Sequence, residues 1–247
     1  MSEYLVFRLY APLASWGEAA VGETRPSGTC PGRGAVLGLL GAALGVRRDD
    51  AEGQAALFGG FRVAVKQYRA GSLLSDYHTA QVPASQSKVR YHTRRDELNA
   101  PRKVINTILS SRQYRCDGLW TVAVQATPAV RQDLSTLRAA LLKPVFPLYL
   151  GRRACPLAAP LAPEVVERDS LKAALDHQFE PLLTGQQAWL RDDTACLYAW
   201  EGAATDLDGD DRHVESNDVW DDPLNRDRWQ FGPRKAFRRY QDAREVA

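Results

Sequence analysis

Apolar and polar positions alternate from Tyr4 to Tyr10. Leu5, Phe7 and Leu9 share one face; Tyr4, Val6, Arg8 and Tyr10 share the other. Period two predicts a strand whose Leu5 face is covered by helices. The opposite face, with two tyrosines and an arginine, suits stacking on bases as well as a half-exposed strand. The period changes over Gly34 to Val46, where Val36, Leu37, Leu40 and Leu44 form one stripe at helical spacing. Gly38 and Gly41 each cost that helix roughly 1 kcal/mol relative to alanine, a cost offset where they allow close packing. Asp49-Asp50 opens a short second helix running to Leu57-Phe58. Alternation returns over Phe61 to Arg69, and Leu73 to Thr79 is predicted as its hairpin partner through Ala70-Gly71. Leu119 to Thr127 is a further strand. Asp133 to Lys143 is a helix capped by Asp133, burying Leu134, Leu137, Leu141 and Leu142, and stopped by Pro144 and Pro147. After a Pro- and Gly-rich loop, Phe146 to Pro163, come a helix near Asp169 to His177 and a strand near Ala195 to Glu201.

No period holds across residues 80–116, which is too long for an ordinary connection. With this insert and one extra strand set aside, the order is close to βαββαβ. The expectation is an α+β chain with a ferredoxin-like core, the architecture of RNA-recognition modules. Residues 1–145 form that domain, with the insert at about 80–116; residues 146–247 form the loop and a smaller C-terminal lobe.

Composition adds little: 247 residues, 45% hydrophobic and 25% charged, with a net charge of only +2. Its distribution adds more. From Lys88 to Arg115 there are eight Lys/Arg against Asp96 and Glu97; from Thr205 to Asp222 there are eight acids against Arg212. A basic segment and an acidic one hide behind near-neutrality. The four cysteines, Cys30, Cys116, Cys155 and Cys196, are scattered without CxxC spacing, which argues against zinc and for reduced thiols. The opening MSEYLVFRLY has no signal-peptide pattern, and no apolar run nears the roughly 20 residues that span a bilayer. A cytoplasmic protein without membrane contact is expected.

The stretch TRPSGTCPGRGAVLGLLGAALGVRRDD, Thr24 to Asp50, holds six glycines, two prolines and four arginines. A glycine-rich loop entering a helix N-terminus suits an anion. Walker A and GxGxxG are both absent in the required frame, so NTP hydrolysis is disfavoured and no cofactor is expected. What remains is Arg25 and Arg33 with Gly34 at the helix start, either an anion cradle or a structural turn. In the insert, Lys88, Arg90, Arg94, Arg102 and Arg112 are interleaved with Tyr91, His92 and Tyr114. Cations that track a backbone, with aromatic faces between them, suit single-stranded nucleic acid; a solvated charged face is the alternative. Arg152 and Arg153 form a second arginine loop, and the tail from Arg226 to Arg239 is again basic. Either could line an RNA or protein surface or be solvated. The histidines lack metal-ligand spacing. His78 or His92, near Tyr77 or Tyr91, could act as a general acid or base in RNA cleavage; phosphate contacts or plain surface residues are the alternative. Asp206, Asp208 and Asp210 resemble the start of an EF-hand, but Asp211 and Asn217 occupy the positions of the required glycine and glutamate. A flexible acidic loop is expected there.

Four stretches, APLASWG, ETRPSGTCPGRGAVLGLLGAALGVRRDD, SDYHTAQ and YLGRRACPLAAPL, together resemble the CasD family. These subunits hold the 5′ handle of crRNA in type I-E CRISPR Cascade complexes. The first 50 residues and positions 149–161 carry the resemblance; the insert and the C-terminal part match loosely. The resemblance implies a ferredoxin-like core with a protruding β-hairpin thumb, here about residues 80–116. It places Arg25, Arg33, Gly34, Arg152 and Arg153 near the handle, and Lys88, Arg90, Arg94, Arg102 and Arg112 along the thumb. It implies CasC, the backbone subunit, as a neighbour, with CasA nearby and target DNA met through the complex. Guide processing in this subtype belongs to CasE. Some relatives in another subtype cut RNA with Tyr, Lys and His, the last two adjacent; this chain has no Lys-His dipeptide. The expectation is therefore a non-catalytic RNA-binding subunit that caps the backbone filament in antiviral defence. A metal-independent endoribonuclease acting on precursor crRNA is the alternative.

Overall fold

The computed structural model describes residues 1–85, 89–130, 133–181, 195–225, 228 and 230–242. The first strand is longer than its alternation suggests, β1 Ser2–Ala14. Three short pieces follow: β2 Trp16–Gly17, β3 Thr24–Arg25 and β4 Ser27–Gly28. Helix α1, Arg33–Leu44, is closed by Gly45 at φ 80°, a left-handed cap that glycine adopts without strain. Helix α2, Ala51–Gly60, begins at Asp50, whose carboxylate accepts the Gly53 N–H. Strand β5 is Phe61–Arg69 and β6 is Ser72–Pro83. A short helix α3, Arg94–Leu98, precedes β7, Ile105–Ala126, a strand of 22 residues. Next come α4 Leu134–Leu142, β8 Glu164–Arg168, α5 Leu171–Leu175, β9 Ala195–Trp200, β10 Glu215–Asn225 and β11 Gln230–Asp242.

The architecture is mixed α/β, with few helices on a large and mainly antiparallel sheet. Its path is β10-β11-β9-β5-β7-β1-β8, with β6 and β3 also paired to β7. Strands β8, β1, β7 and β5 are mutually antiparallel neighbours, with α1 between β1 and β5 and α4 between β7 and β8 in sequence. The residues after 146 supply β8 to one edge of this sheet and β9–β11 to the other, so a division at 145/146 does not divide the sheet. Among the described residues no helix is long and apolar enough to cross a membrane.

Both faces of the central strands are covered. Leu5, Phe7, Leu9, Val63, Trp120 and Val122 pack with Val36, Leu37 and Leu40 of α1, Leu57 of α2 and Leu134, Leu137 and Leu141 of α4. On the other face, Tyr4, Val6, Ala64 and Ala123 pack with Leu171 and Leu175 of α5, and with Tyr198, Trp200 and Phe237. This corrects the reading of the first strand. Tyr4 is 5% exposed, and Arg8 is buried, donating to Pro160 O at 3.1 Å and to Glu180 O. From Tyr4 to Arg8 that face is buried in or beside a second core and closed to a base, and Tyr10 at its end is partly exposed. Leu142, expected in the core, is 59% exposed at the end of α4.

The largest departure concerns the insert. Strand β6 does not fold back on β5 as a hairpin. It continues past the end of β5 along the same neighbour, pairing Ser72 with Cys116 through to Pro83 with Ile105. The turn at Ala70-Gly71 shifts the chain outward. Gly71 has φ +77°, and a Cβ there would lie 2.4 Å from Cys116 O, so only glycine passes β7 this closely. Strand β7 is therefore a core strand over its second half and one side of an exposed two-stranded arm over its first. The arm begins at residue 72, earlier than the break in periodicity indicated.

Candidate nucleic-acid interface

The root of the arm is where the glycine-rich loop meets it. Strand β3 runs parallel to β7, with Thr24 beside Ser111 and Arg25 beside Arg112, and the Ser111 N–H donates to Glu23 O at 3.0 Å. Arg25 and Arg112 are both exposed. Arg25 Nη1 donates to Gly22 O at 2.6 Å and Thr24 O at 3.1 Å, which holds the turn that precedes it. Arg115 donates to Ser27 O at 3.0 Å and Gly28 O at 3.1 Å. The loop before Pro156 closes the same corner, with Arg153 exposed beside Arg152. Arg152 Nη1 donates to Gln113 O at 3.1 Å and Nη2 to Arg25 O at 3.2 Å. Its guanidinium lies 4.8 Å from the centroid of the Tyr114 ring. Gly34 is exposed on the first turn of α1. With Gly38, Ala42, Tyr149, Gly151 and Arg152 it lines a cleft of about 300 Å³.

The far end of the arm is ordered by its own contacts. Thr93 and Asp96 form a capping box at α3. Arg94 Nη1 reaches Glu97 at 2.6 Å while Nη2 donates to Gln81 O, pinning the tip to β6. Arg90, Tyr91 and Lys103 line a shallow cleft of about 730 Å³, and Arg102 is exposed in a 3-10 turn. Lys88 lies outside the described residues. Arg25, Arg112 and Arg152 thus meet at the root, Gly34 lines a cleft with Arg152, and Arg153 is exposed next to it in sequence, while Arg90, Arg94 and Arg102 lie in the outer part of the arm.

Arg33 does not belong to this surface, which corrects its assignment to the cradle. Its side chain is only 8% exposed and points into the protein. Nε is 3.0 Å from Glu201, Nη1 is 3.5 Å from Asp222, and Nη2 donates to Phe58 O. The charge that the loop seemed to offer a phosphate is neutralised internally. Burial pushes the Glu201 carboxyl above its usual range, and Arg33, the Val63 N–H and Arg234 pull it only part of the way back. The acidic segment and the basic tail are likewise spent on each other. Arg239 binds Asp208, and Arg234 reaches Asp221 at 2.7 Å and 2.8 Å in a two-pronged pair. Asp206 caps Ala203 and Asp210 pairs with Arg212. The expected flexible acidic loop instead feeds β10, which pairs with β11.

Two glycines of α1 divide in role. A Cβ at Gly41 would meet Leu57 Cδ1 at 3.1 Å, so Gly41 does let α1 pack closely on α2, whereas Gly38 has nothing within 4 Å. The first of the two candidate histidines, His78, has no Tyr–Lys pair beside it among the described residues. His78 Nδ1 is 3.2 Å from Asp76, and Tyr77, its neighbour in an extended strand, projects from the opposite face of the arm. Lys66 is sequestered on Asp176 at 2.6 Å. The contacts by which Gln113, Tyr114, Arg115 and Ser15 weld loop to arm carried no signal in the sequence. Their partners stand far along the chain, and a parallel β3–β7 pairing leaves no local pattern.

Comparison with known proteins decides the family. The family model described as CRISPR-associated protein (Cas_Cas5) matches residues 4–237. The chain belongs to the CRISPR-associated protein (Cas_Cas5) family. The CRISPR system Cascade subunit CasD of Escherichia coli (strain K12) is 40% identical over 164 residues, covering 65% of this chain and 70% of that protein. A solved CRISPR RNA-guided surveillance complex contains a similar chain, with TM-score 0.64 and 26% identity over 97% of this chain and 89% of that one. A crystal structure of a Cas protein also matches in fold, with TM-score 0.54 and 22% identity, covering 97% of this chain and 94% of the other. The family match runs through the arm and most of β10–β11, segments where the sequence resemblance was loosest.

Proposed function

We propose that this chain is the non-catalytic RNA-binding subunit of a type I-E Cascade surveillance complex. It grips the 5′ handle of crRNA and caps the backbone filament of CasC subunits, with CasA alongside and target DNA met only through the complex. The observation that carries this reading is the arm root, where Arg25 and Arg112 stand side by side in register, both exposed. Two strands held in parallel present their cations at strand spacing, a geometry suited to successive phosphates. Arg90 and Arg102 extend the positive surface to the tip. The strand order β5-β7-β1-β8, with one helix after β1 and one after β7, supports a ferredoxin-like core, with the β6–β7 arm as its thumb. Because α5 and β9–β11 extend or cover that core, RNA is held at its edge and not on the open face that RNA-recognition modules use.

The test is equilibrium binding of a handle oligonucleotide across salt. The logarithm of affinity should fall with log salt by about 0.7 per neutralised phosphate. Arg25→Ala/Arg112→Ala should weaken binding and flatten that slope. Unchanged affinity and slope would exclude the arm root. The same protein incubated with precursor repeat RNA in EDTA should bind without cutting; specific cleavage lost in His92→Ala would install the endoribonuclease reading instead.

A further inference from the structure

Arg152 sits at a point where three separate pieces of chain meet. These are its own loop, the glycine-rich loop through Arg25 O, and β7 through Gln113 O and the Tyr114 ring. That point on β7 is where the strand leaves the core. Tyr114 is still in the main core cluster, while Arg112 is exposed and its strand is flanked only by β6 and the short β3. Beyond it the arm is a lever. Eleven residues of strand from 105 to 115 extend about 37 Å, so a 10° change at the root moves the tip by about 6 Å. A lone two-stranded ribbon does not resist such bending by itself.

The loop that carries Arg152 is braced to deliver it. Leu150 N donates to Cys155 O at 2.8 Å, Cys155 N to Arg152 O at 2.8 Å, and Ser15 N to Leu150 O at 3.0 Å. Gly151 has φ +82°, and a Cβ there would fall 1.7 Å from Ser15 O, so the loop lies directly on the end of β1. Ser15 Oγ donates to the same Gln113 O at 3.1 Å, and the Ser27 N–H donates to Gln113 Oε1 at 3.3 Å. A planar guanidinium donates from one rigid fork to two diverging carbonyls while its face rests on a ring; an ammonium, a point charge on a flexible stem, does not fix that geometry.

We propose that Arg152 is a positioning residue. It fixes the angle of the arm to the glycine-rich loop through Gln113 O, Arg25 O and Tyr114, and it does not neutralise a phosphate. This rests on the reading that loop and arm together hold the RNA handle.

Two measurements on the full chain test it. In the first, handle-oligonucleotide affinity is followed across salt for Arg152→Ala, Arg152→Lys and Arg112→Ala. Arg112→Ala should flatten the slope by about 0.7. Both Arg152 variants should weaken binding about tenfold while keeping the wild-type slope. A lysine that restores affinity, or an Arg152→Ala slope flattened by about 0.7, would make Arg152 a phosphate ligand and overturn the proposal. In the second, the distance distribution between labels at Leu98 on the arm tip and Leu142 on α4 is recorded without RNA. It should broaden in both Arg152 variants and stay narrow in Arg112→Ala. An unchanged distribution in the Arg152 variants would overturn the proposal whatever the RNA result. If the wild-type chain binds no handle RNA, the function proposed above fails, and the distance measurement still decides whether Arg152 sets the arm.

Discussion

Arg33 and Arg25 occupy the same glycine-rich stretch and carry the same charge, yet they do opposite things. Arg25 lies on a strand edge facing solvent. Arg33 opens α1 and turns inward, where Glu201, Asp222, Phe58 O and the Phe58 ring surround it. Removing one member of a buried ion pair leaves the other charge desolvated and unpaired, which costs about 3–5 kcal/mol. Arg234 lies 3.9 Å from Glu201 and relieves part of that, so Arg33→Ala should cost about 3 kcal/mol, read from urea unfolding. Adding Glu201→Gln should recover part of the loss by removing the orphaned charge. An Arg33→Ala chain of wild-type stability that binds RNA with a flattened salt slope would return Arg33 to the interface. The carboxylate partners of Arg33 explain why its role was not legible. Glycine and arginine spacing is local, but the acids that claim this arginine lie at the far end of β9 and in β10.

At the scale of elements, what could be read depended on where hydrogen bonds close. Helices α1, α2 and α4 bond within themselves, and the apolar stripes of α1 and α4, the Asp133 cap and the Asp49-Asp50 start of α2 located each to within a residue or two. Strand pairing is not local. The alternation of Phe61–Arg69 and the apolar residues of Leu73–Thr79 looked like two sides of one hairpin, but both pair with β7. The arm escaped the periodicity reading because it is wet on both faces; a strand with no buried side has no reason to alternate. Its basic character, by contrast, was visible at once. Helix α1 offers a sharp check. Gly38 is a helical glycine with open space where a Cβ would stand. Gly38→Ala should therefore raise stability by about 1 kcal/mol, seen as a higher urea midpoint. Gly41→Ala should gain less, because its methyl meets Leu57 Cδ1 at 3.1 Å. A Gly38→Ala chain less stable than wild type would mean that this face of α1 is not free.

For the whole molecule, the opposite charges of the acidic segment and the basic tail cancel by contact, which ties stability to pH. Arg239 donates to Asp208 and holds its carboxyl below the usual range. Burial would raise the Asp176 carboxyl, but donors from Lys172, Lys66 and Tyr198 outweigh it and hold it low as well. For such depressed groups the unfolded chain binds protons more readily. Their contribution is complete above the ordinary aspartate value of about 3.9 and is lost as pH falls through their folded values. Glu201 behaves in the opposite sense. Its carboxyl is raised by burial, so the folded state takes up a proton first, and its contribution grows as pH falls toward the ordinary glutamate value of about 4.3. The two effects occupy different windows. The melting temperature should hold or rise slightly from pH 7 to about pH 5 and then fall below about pH 4. Asp176→Asn should lower the melting temperature at pH 7 and make the acid fall shallower, since one of the groups responsible is gone. Glu201→Gln should abolish any rise between pH 7 and about pH 5 while leaving the acid fall intact. A wild-type chain that loses stability steadily from pH 7 downward would mean that Glu201 is ordinary in the folded state. Pairing with Arg33 and Arg234 would then offset the burial of its carboxylate in full.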